Sequence, residues 1–424
     1  MTSEKGARVT VPDLEGVRWV RLTFVDVLGT SNSLQLPVAR FADAVAHGET
    51  FDGSALQGRT RALESDMRLR PDPATLRRSG ELARVACTVL TPDGEPWPAD
   101  PRTGLVGMLE ADSLVGELAQ VWTAGAELEL YLLEDGQPVD RAGYFDDREG
   151  LGMSVIRDAA DRLEAAGLEV VSCHHEAGPG QYEIDLGGLA PLALADALVL
   201  AKQLVREAAV EAGLLATFMA RPLEGQAGSG LHLHQEVDGL LNRSGKLSED
   251  GQAFVAGILT HARALSALAA PTVNSYKRLH AGPEAPGSAV WAHVNRAALV
   301  RIDASGPTTP GIEYRAADPS ANPYLLVAGL LVAEADGMAG GLDPGPPLEE
   351  VADSFDPGHA DAVRYQPLPR SLDEALDALL TDDTFVDAFD HRLLANLIDG
   401  RRGEAEAYRG HVTSWELERY LDQG

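Results

Sequence analysis

The chain has 424 residues, with 65 acidic against 35 basic side chains and a formal net charge of −30 at pH 7. Such an acidic chain repels phosphate backbones and anionic lipid surfaces, which argues against nucleic acids and membranes as partners bound through bulk charge. The two cysteines lie far apart in sequence, the N-terminus has no apolar leader, and we find no apolar run long enough to span a membrane. These features predict a reduced, cytoplasmic protein.

The first quarter of the chain predicts a small β-rich domain. Residues 17–27 and 83–90 are rich in β-branched and aromatic side chains, and each run is followed by a turn. Between them, residues 37–49 have helical spacing of apolar side chains. Proline and aspartate are dense over residues 92–103, as at a domain boundary. We therefore place the first domain at residues 1–103.

Helical and strand signals are interleaved in the rest of the chain. No glycine-rich strand-to-helix loop accompanies them, which argues against a doubly wound nucleotide-binding fold and favours an α+β catalytic domain over residues 104–424. Helices are predicted over residues 105–115, 154–167, 194–213 and 254–269 and from 372 onward. Short strands are predicted over residues 126–134, 169–176, 214–220, 229–237, 298–303 and 311–317.

Polar pairs recur on one face of three of these strands, because side chains two residues apart on a strand point the same way. The pairs are Glu127 with Glu129, His232 with His234, and Glu313 with Arg315. Neighbouring carboxylates on a half-buried strand repel each other unless a metal, an arginine or solvent compensates them. A solvated sheet face is the alternative for any single pair.

Two further carboxylates flank a short segment that interrupts the strand pattern. This interruption lets both carboxylates turn toward the same point. Glu176 and Glu183 are separated by AGPGQY, whose glycines and proline interrupt the strand. If all these faces converge, an oxygen-rich site with one or two imidazoles results, which suits Mg²⁺ or Mn²⁺ better than Zn²⁺, and the number of carboxylates predicts two or more ions. For His174 and His175 a hydrogen-bonded scaffold role stays open.

At these residues the sequence resembles the glutamine synthetase family. Motifs in the family's order run from about residue 17 to 338, and VTSWELERYL near the end is a weaker match. The resemblance implies a fold with an N-terminal β-grasp domain and a catalytic domain whose antiparallel sheet has flanking helices. It also implies homo-oligomeric rings, a dodecamer being expected, with active sites between neighbouring subunits. The motifs are FDGSA, ESDMRLRPDP, GAELELYL, HHEAGPGQYEI, ATFMARP, GSGLHLHQ, PTVNSYKRL, EAPGSAVW, NRAALVRI, IEYR and DPSANPYL.

The family reaction that the resemblance implies has two steps. ATP phosphorylates the γ-carboxylate of glutamate, and ammonia or a primary amine then attacks the acyl phosphate. By the family pattern one divalent ion would be held by Glu129, Glu176 and Glu183, and the other by Glu127, His232 and Glu313.

The same resemblance assigns further roles. Arg278 and Arg315 would receive the carboxylates of glutamate beside Gly228, and Arg296 and Arg301 would contact phosphate and the transition state. His234 would bind nucleotide together with Arg301. Glu284 would be the general base on a flap, and Tyr144 and Asp52 would form the ammonium pocket, Asp52 being donated by a neighbouring subunit. Without the resemblance, a surface arginine, a turn-capping Asp52 and a solvated loop Glu284 are the alternatives.

Several positions depart from the family pattern. Ala55 and Ala227 replace small polar residues near the substrates, and Glu236, Thr308 and Gly311 replace residues near the nucleotide. Losing a hydroxyl on the ammonium side is one way to admit a larger amine. We therefore predict an ATP-dependent ligase for ammonia or a primary amine. The alternative is a ring-forming structural or regulatory pseudo-enzyme with a decayed nucleotide site.

Overall fold

An N-terminal sheet of six strands forms the first domain. The structure is a computed structural model that describes residues 14–56, 66–242, 245–280, 285–303, 311–349 and 366–423. The strands run in the order β2-β1-β6-β4-β3, with β5 beside β6 and β1 parallel to β6. The elements are β1 (Trp19–Val25), β2 (Ser31–Pro37), α1 (Phe41–His47), β3 (Glu49–Asp52), β4 (Asp66–Pro71), β5 (Arg77–Ser79) and β6 (Leu82–Leu90).

The second domain is built on a larger, mostly antiparallel sheet. Its strands run in the order β13-β14-β15-β12-β7-β10-β9, and β8 and β11 pair with β7. Only β13 and β14 pair in parallel among the described strands of this sheet. The strands are β7 (Trp122–Glu134), β8 (Gln137–Pro138), β9 (Val170–His175), β10 (Gln181–Leu189), β11 (Leu215–Thr217), β12 (Leu231–Val237), β13 (Trp291–Ala292), β14 (Val300–Asp303) and β15 (Gly311–Tyr314).

Helices accompany this sheet, so the α+β architecture predicted from the sequence is confirmed. The single helix expected over residues 105–115 is wrong, because Ser113 caps a new helix by accepting a hydrogen bond from the Gly116 amide. The helices are α2 (Pro101–Glu110), α3 (Leu114–Ala119), α4 (Leu151–Ala165), α5 (Pro191–Glu211), α6 (Glu249–Thr260), α7 (Ala262–Ala269), α8 (Ser275–Leu279), α9 (Pro323–Gly340), α10 (Leu372–Leu380), α11 (Asp383–Ala388), α12 (His391–Arg409) and α13 (Ser414–Tyr420).

Helix α9 is the central helix of the catalytic domain. It is long and apolar enough to cross a membrane, contrary to the expectation that no segment would be. The helix is apolar because it forms part of the protein core. It is 78 % buried inside the fold, where it packs against α5, α6 and α7. Glu334 lies fully buried in the middle of this helix, and burial raises the pKa of its carboxyl well above the ordinary value.

The two domains are joined by buried ion pairs. Arg102, at the start of α2, donates hydrogen bonds to both carboxylate oxygens of Asp196 on α5, at 3.0 and 2.8 Å, and to Asp72 of the first domain at 2.8 Å. The Tyr324 hydroxyl donates to Asp196 as well, at 2.7 Å. Because the Arg102 side chain is only 4 % exposed, this network fixes the first domain against the catalytic domain.

We expect Arg102→Ala to lower the free energy of unfolding by about 3 kcal/mol, because it leaves Asp196 buried without its cation. Denaturant unfolding followed by circular dichroism measures the change. The control Arg402→Ala removes an exposed pair with Asp377 and should change the same free energy by less than about 1 kcal/mol. Equal effects of the two substitutions would contradict the assigned role of Arg102.

Candidate active site

One face of the catalytic sheet carries a continuous row of charged side chains. It arises because six neighbouring strands, from β9 to β14 in the sheet order, place their polar positions in register, while Leu128, Leu130 and Leu132 are buried on the opposite face of β7. Directly paired positions on the polar face are His174 with Glu183, Glu183 with Glu129, Asp185 with Glu127, Glu127 with His232, His234 with Glu313, and Glu313 with Arg301. The polar pairs predicted from sequence therefore do converge.

Glu127, His232 and Glu313 form the first cluster, with one potential ligand atom of each within 4.8 Å of the others. The Glu127 carboxylate lies 2.6 Å from His232 Nδ1 and 2.6 Å from His234 Nε2. Burial would raise the pKa of Glu127, but hydrogen bonds from the two imidazoles outweigh it and lower the pKa. The same carboxylate raises the pKa of His234 to about 8 against the opposing effect of burial.

Glu313 lies at the bottom of this cluster and is fully buried. Its carboxylate pairs with Arg301, whose Nε lies 2.5 Å from Oε2, and with the guanidinium of Arg315. Arg301 and Arg315, which the resemblance predicts to bind substrates, thus both pair with the carboxylate of Glu313, a predicted metal ligand.

A second cluster joins His174, Glu176 and Glu183. Burial, reinforced by repulsion from Glu127 and Glu129, raises the pKa of Glu183 to about 11. Burial and the Glu129 carboxylate raise the pKa of Glu176 to about 7. Without a cation, these carboxyl groups hold protons that an exposed glutamate would lose at neutral pH.

Glu129 lies between the two clusters. Its Oε2 accepts a hydrogen bond of 2.9 Å from Gln181 Nε2, and its Oε1 lies 3.9 Å from His232 Nε2. Burial raises the pKa of this carboxyl, although the nearby Arg278 opposes the effect. Gln181 was missed by the sequence reasoning, as was Asp185, which forms a third group with Glu127 and Glu183. Period-2 spacing from Glu183 was the signal that could have found Asp185.

These groups surround a cavity of about 590 Å³. Arg221, which the sequence reasoning did not single out, also lines it. Glu313 is buried beneath the floor of the cavity. His234 does not line the cavity but contacts Glu127, which does. The predicted residues on its walls are Glu127, Glu129, Glu176, Glu183, His232, Tyr144, Gly228, Arg278, Arg296, Arg301 and Arg315.

The arginines on one wall are oriented by backbone carbonyls. Arg278 donates to the carbonyl oxygens of Ala316 at 3.0 Å and of Arg315 at 3.1 Å. Arg315 Nε donates to the carbonyl of Arg296 at 2.9 Å. Gly228 packs directly against this wall, since a Cβ there would lie 2.7 Å from both Ala220 O and Arg278 Cγ. A larger residue at position 228 would therefore displace Arg278.

Aromatic side chains form the rim of the cavity. The Tyr144 ring lies 4.2 Å from the Phe145 ring, and Phe145 packs 4.6 Å from the imidazole of His174. Phe145 has a left-handed backbone with φ of 55°, which is strained for a residue with a side chain. Burial raises the pKa of the Tyr144 hydroxyl.

Among the described residues, the predicted catalytic residue Asp52 does not line this cavity. Asp52 ends β3 in the first domain, where its exposed carboxylate accepts a hydrogen bond of 2.9 Å from the Ser54 amide. Glu284 lies outside the described residues, and so do Thr308 and the side chain of Ala55. The geometry therefore brings carboxylates, imidazoles and arginines together at one cavity, while their roles and those of Asp52 and Glu284 stay predictions.

Comparisons with known proteins agree with this geometry. The family model "Glutamine synthetase, beta-Grasp domain" matches residues 16–92, and "Glutamine synthetase, catalytic domain" matches residues 103–420. The chain belongs to the glutamine synthetase family. It is 37 % identical to glutamine synthetase of Thermotoga maritima, over 96 % of this chain and 97 % of the relative. It is 38 % identical to the Mycobacterium tuberculosis enzyme, over 96 % of each chain.

Solved structures show the same fold. A GmaS/ADP complex superposes with a TM-score of 0.85 at 28 % identity, over 96 % of this chain and 97 % of that one. Glutamine synthetase of Plasmodium falciparum superposes with a TM-score of 0.84 at 22 % identity, over 97 % of each chain. The β-grasp and catalytic domains predicted from the sequence are confirmed, and the chain is a glutamine synthetase-like ligase of a family that uses ATP and divalent metal.

Metal binding should release protons, because Glu176 and Glu183 hold them in the metal-free site near neutral pH. Their raised pKa values mean that the ionised forms needed for metal ligation become more populated as pH rises. We expect Mn²⁺ affinity to increase between about pH 6 and about pH 8, by up to about tenfold per pH unit for each proton released. Calorimetry in buffers of different ionisation enthalpy counts the protons. The Glu176→Gln variant should release fewer, whereas a binding enthalpy independent of buffer would contradict the prediction.

Proposed function

We propose that the protein is an ATP-dependent ligase that joins the γ-carboxylate of glutamate to ammonia or a primary amine, with Mg²⁺ or Mn²⁺. The observation that supports this most is the meeting of two opposite charge sets in one cavity. The carboxylates of the clusters lie on the sheet face, and Arg278, Arg296, Arg301 and Arg315 lie on the walls. An acid and a nucleotide polyphosphate are both anions, and only such a mixed site can bring them together.

The donor set fits hard divalent cations. Glu127, His232 and Glu313 would hold one ion, and Glu129, Glu176 and Glu183 the other, with His174 beside Glu183 at 3.2 Å. The raised pKa values of Glu176 and Glu183 support this assignment, since a buried cation is what such carboxylates lack. When bound, divalent ions supply charge neutralisation for the phosphates of ATP.

The chemistry then follows from the charge balance at the reacting atoms. An oxygen of the γ-carboxylate attacks the γ-phosphorus of ATP, the bond to the bridging oxygen breaks, and ADP leaves. The amine nitrogen attacks the resulting acyl carbon, and inorganic phosphate leaves with the bonding electron pair. All four arginines line the cavity, where Arg296 and Arg301 would offset the phosphoryl charge and Arg278 and Arg315 would hold the acid.

The amine must lose a proton before or during its attack, and we assign that step by resemblance to Glu284 and Asp52. Asp52 would come from an adjacent subunit because it does not line the cavity of its own chain, and Tyr144, which lines the cavity, would help to bind the amine. A ring-shaped homo-oligomer, a dodecamer by resemblance, would supply that contact. Exposed apolar residues near the C-terminus support an assembly, and they are Val412, Trp415, Leu417, Tyr420 and Leu421.

We extend the proposal to organic amines as nucleophiles because Ala55 stands where the family pattern has a serine. The purified protein with ATP, Mg²⁺ and glutamate should release phosphate when supplied with methylamine, ethanolamine, putrescine or spermidine, and mass spectrometry identifies the product. The Glu313→Gln variant should lose at least about 100-fold in rate, because it removes a carboxylate ligand of one proposed divalent ion and the anionic partner of Arg301 and Arg315. Turnover with ammonium alone would overturn the amine extension, and no turnover with any nucleophile would favour the pseudo-enzyme.

The shared-site assignment predicts complementation between two inactive variants. Asp52→Asn and Arg278→Gln chains carrying different tags are co-expressed, and mixed assemblies are purified through both tags. If Asp52 serves the neighbouring site and Arg278 its own, random mixing leaves about a quarter of the sites intact, because each ring interface is heterologous. Recovery near a quarter of the wild-type rate is the expected result. No recovery above either variant alone would show that Asp52 does not act across the interface.

A further inference from the structure

A second cavity, of about 620 Å³, lies between the two domains and takes no part in the proposed reaction. The first domain contributes the turn between β1 and β2 at Gly29, Thr30 and Ser31. The catalytic domain contributes one side of α5, strand β11 and the chain around Pro319. The cavity is therefore in a position to sense how the domains sit against each other.

Two cationic side chains of α5 face this cavity, one helical turn apart. Lys202 Nζ donates a hydrogen bond of 2.5 Å to the carbonyl of Pro319, and the guanidinium of Arg206 lies 4.9 Å above the Phe218 ring. Within the described ranges, neither forms an ion pair with a carboxylate, and Asp318 attracts Lys202 only from a longer distance.

The pKa values of both side chains are lowered, as expected for cations without a close carboxylate. Burial lowers the pKa of Lys202 to about 8, with a further lowering from the neighbouring Arg206. Arg206 is exposed on the side away from Phe218, and the partial burial of its guanidinium lowers its pKa as well. By contrast, Arg21, Arg84 and Arg102, which tie the two domains, each have a carboxylate within 3 Å. Lys202 and Arg206 thus differ from the structural cations nearby.

Further hydrogen-bond donors surround the pair. Lys202 uses one of its three N–H donors on Pro319, which leaves two. The Thr217 hydroxyl accepts from the Met219 amide and keeps its own O–H to donate. The Ser31 hydroxyl likewise accepts from Gln203 and keeps a donor. We propose that this cavity binds a small oxyanion, a phosphate or carboxylate group held between Lys202 and Arg206, as an effector site between the domains.

The cavity walls are the reverse sides of elements that carry the active site. The Ala220 carbonyl, on the cavity wall, accepts a hydrogen bond of 2.8 Å from the Ser229 amide beside Gly228. On the other wall, Pro319 closely follows Ala316, whose carbonyl orients Arg278. Asn322, in the same segment, donates to the Asp26 carbonyl of the first domain at 3.0 Å. A bound anion would therefore fix the loop and the arginine that hold the acid substrate.

Binding is tested with inorganic phosphate, and in parallel with malonate, on full-length protein freed of metal by chelation and desalting. Calorimetry should show one phosphate per chain that Lys202→Gln and Arg206→Gln weaken by about tenfold or more, since each removes a charge-assisted hydrogen bond. Arg392→Gln, which removes an exposed cation from α12, is the matched control and should bind like the wild type. Arg296→Gln should also retain this binding, which separates it from phosphate in the active site.

The relative affinity of phosphate and malonate identifies which oxyanion the site prefers. Phosphate binding that is unchanged in both α5 variants, or lost in Arg296→Gln alone, would overturn the proposal, and so would no binding of either anion to the wild type. Circular dichroism and unfolding curves confirm that the variants fold. These binding measurements use neither ATP nor glutamate, so their outcome is independent of the proposed ligase activity.

The coupling to the acid substrate rests on the proposed function and has its own readout. Binding free energies are reciprocal, so an anion between the domains should change the affinity for glutamate as glutamate changes the affinity for the anion. Malonate should shift the KM for glutamate in the wild type and in Arg392→Gln but not in Lys202→Gln. A shift of equal size in all three would show that the anion acts elsewhere.

Discussion

Mutual repulsion among carboxylates on one sheet face is the constraint around which this molecule is organised. Glu127, Glu129 and Glu183 come from adjacent strands, so the backbone register itself holds them side by side. In the absence of cations the protein compensates with protons on Glu176 and Glu183 and with arginines on Glu313. Under the proposed function, divalent cations would supply this neutralisation and allow an anionic substrate to approach.

The remainder of the fold holds these mutually repelling carboxylates in place. The opposite face of their sheet is sealed by the buried leucines of β7 and by α5, and the small residues at Gly228 and Gly230 let the acids and Arg278 approach closely. A Cβ at Gly230 would lie 2.5 Å from His232 Nε2 and 2.8 Å from Glu129 Oε1. Arg102 fixes the β-grasp domain against the catalytic domain, and in that domain the exposed Asp52 does not line the cavity of its own chain.

Much of this could be predicted from the sequence, because period-2 alternation determines which side chains share a strand face. The grouping of Glu127 with Glu129 and of His232 with His234 follows from that rule alone. What alternation cannot predict is the pairing between strands, which long-range contacts decide. His174 therefore stood as a possible scaffold residue, although the register brings it to Glu183, and Asp185 and Gln181 were overlooked. The break between α2 and α3 was missed because the serine cap acts locally against an apolar pattern that continues through it.

The oxyanion site between the domains has no counterpart in sequence reasoning. Lys202 and Arg206 lie on a long amphipathic helix where a lysine and an arginine at this spacing are ordinary surface residues. Their lack of close carboxylate partners within the described part of the chain becomes visible only in the folded structure, where the first domain and the Pro319 segment lie against this side of α5. Tertiary structure thus determines which charges are compensated and which remain available.

The central claim is that this cavity activates the γ-carboxylate of glutamate as an acyl phosphate. Hydroxylamine is a small nucleophile that traps such an intermediate whichever amine the enzyme prefers. The purified protein with ATP, Mg²⁺, glutamate and hydroxylamine should form γ-glutamyl hydroxamate together with equal amounts of ADP, and Glu313→Gln should form neither. ADP formation without hydroxamate, or no reaction in the wild-type protein while ATP and Mg²⁺ are bound, would contradict the account.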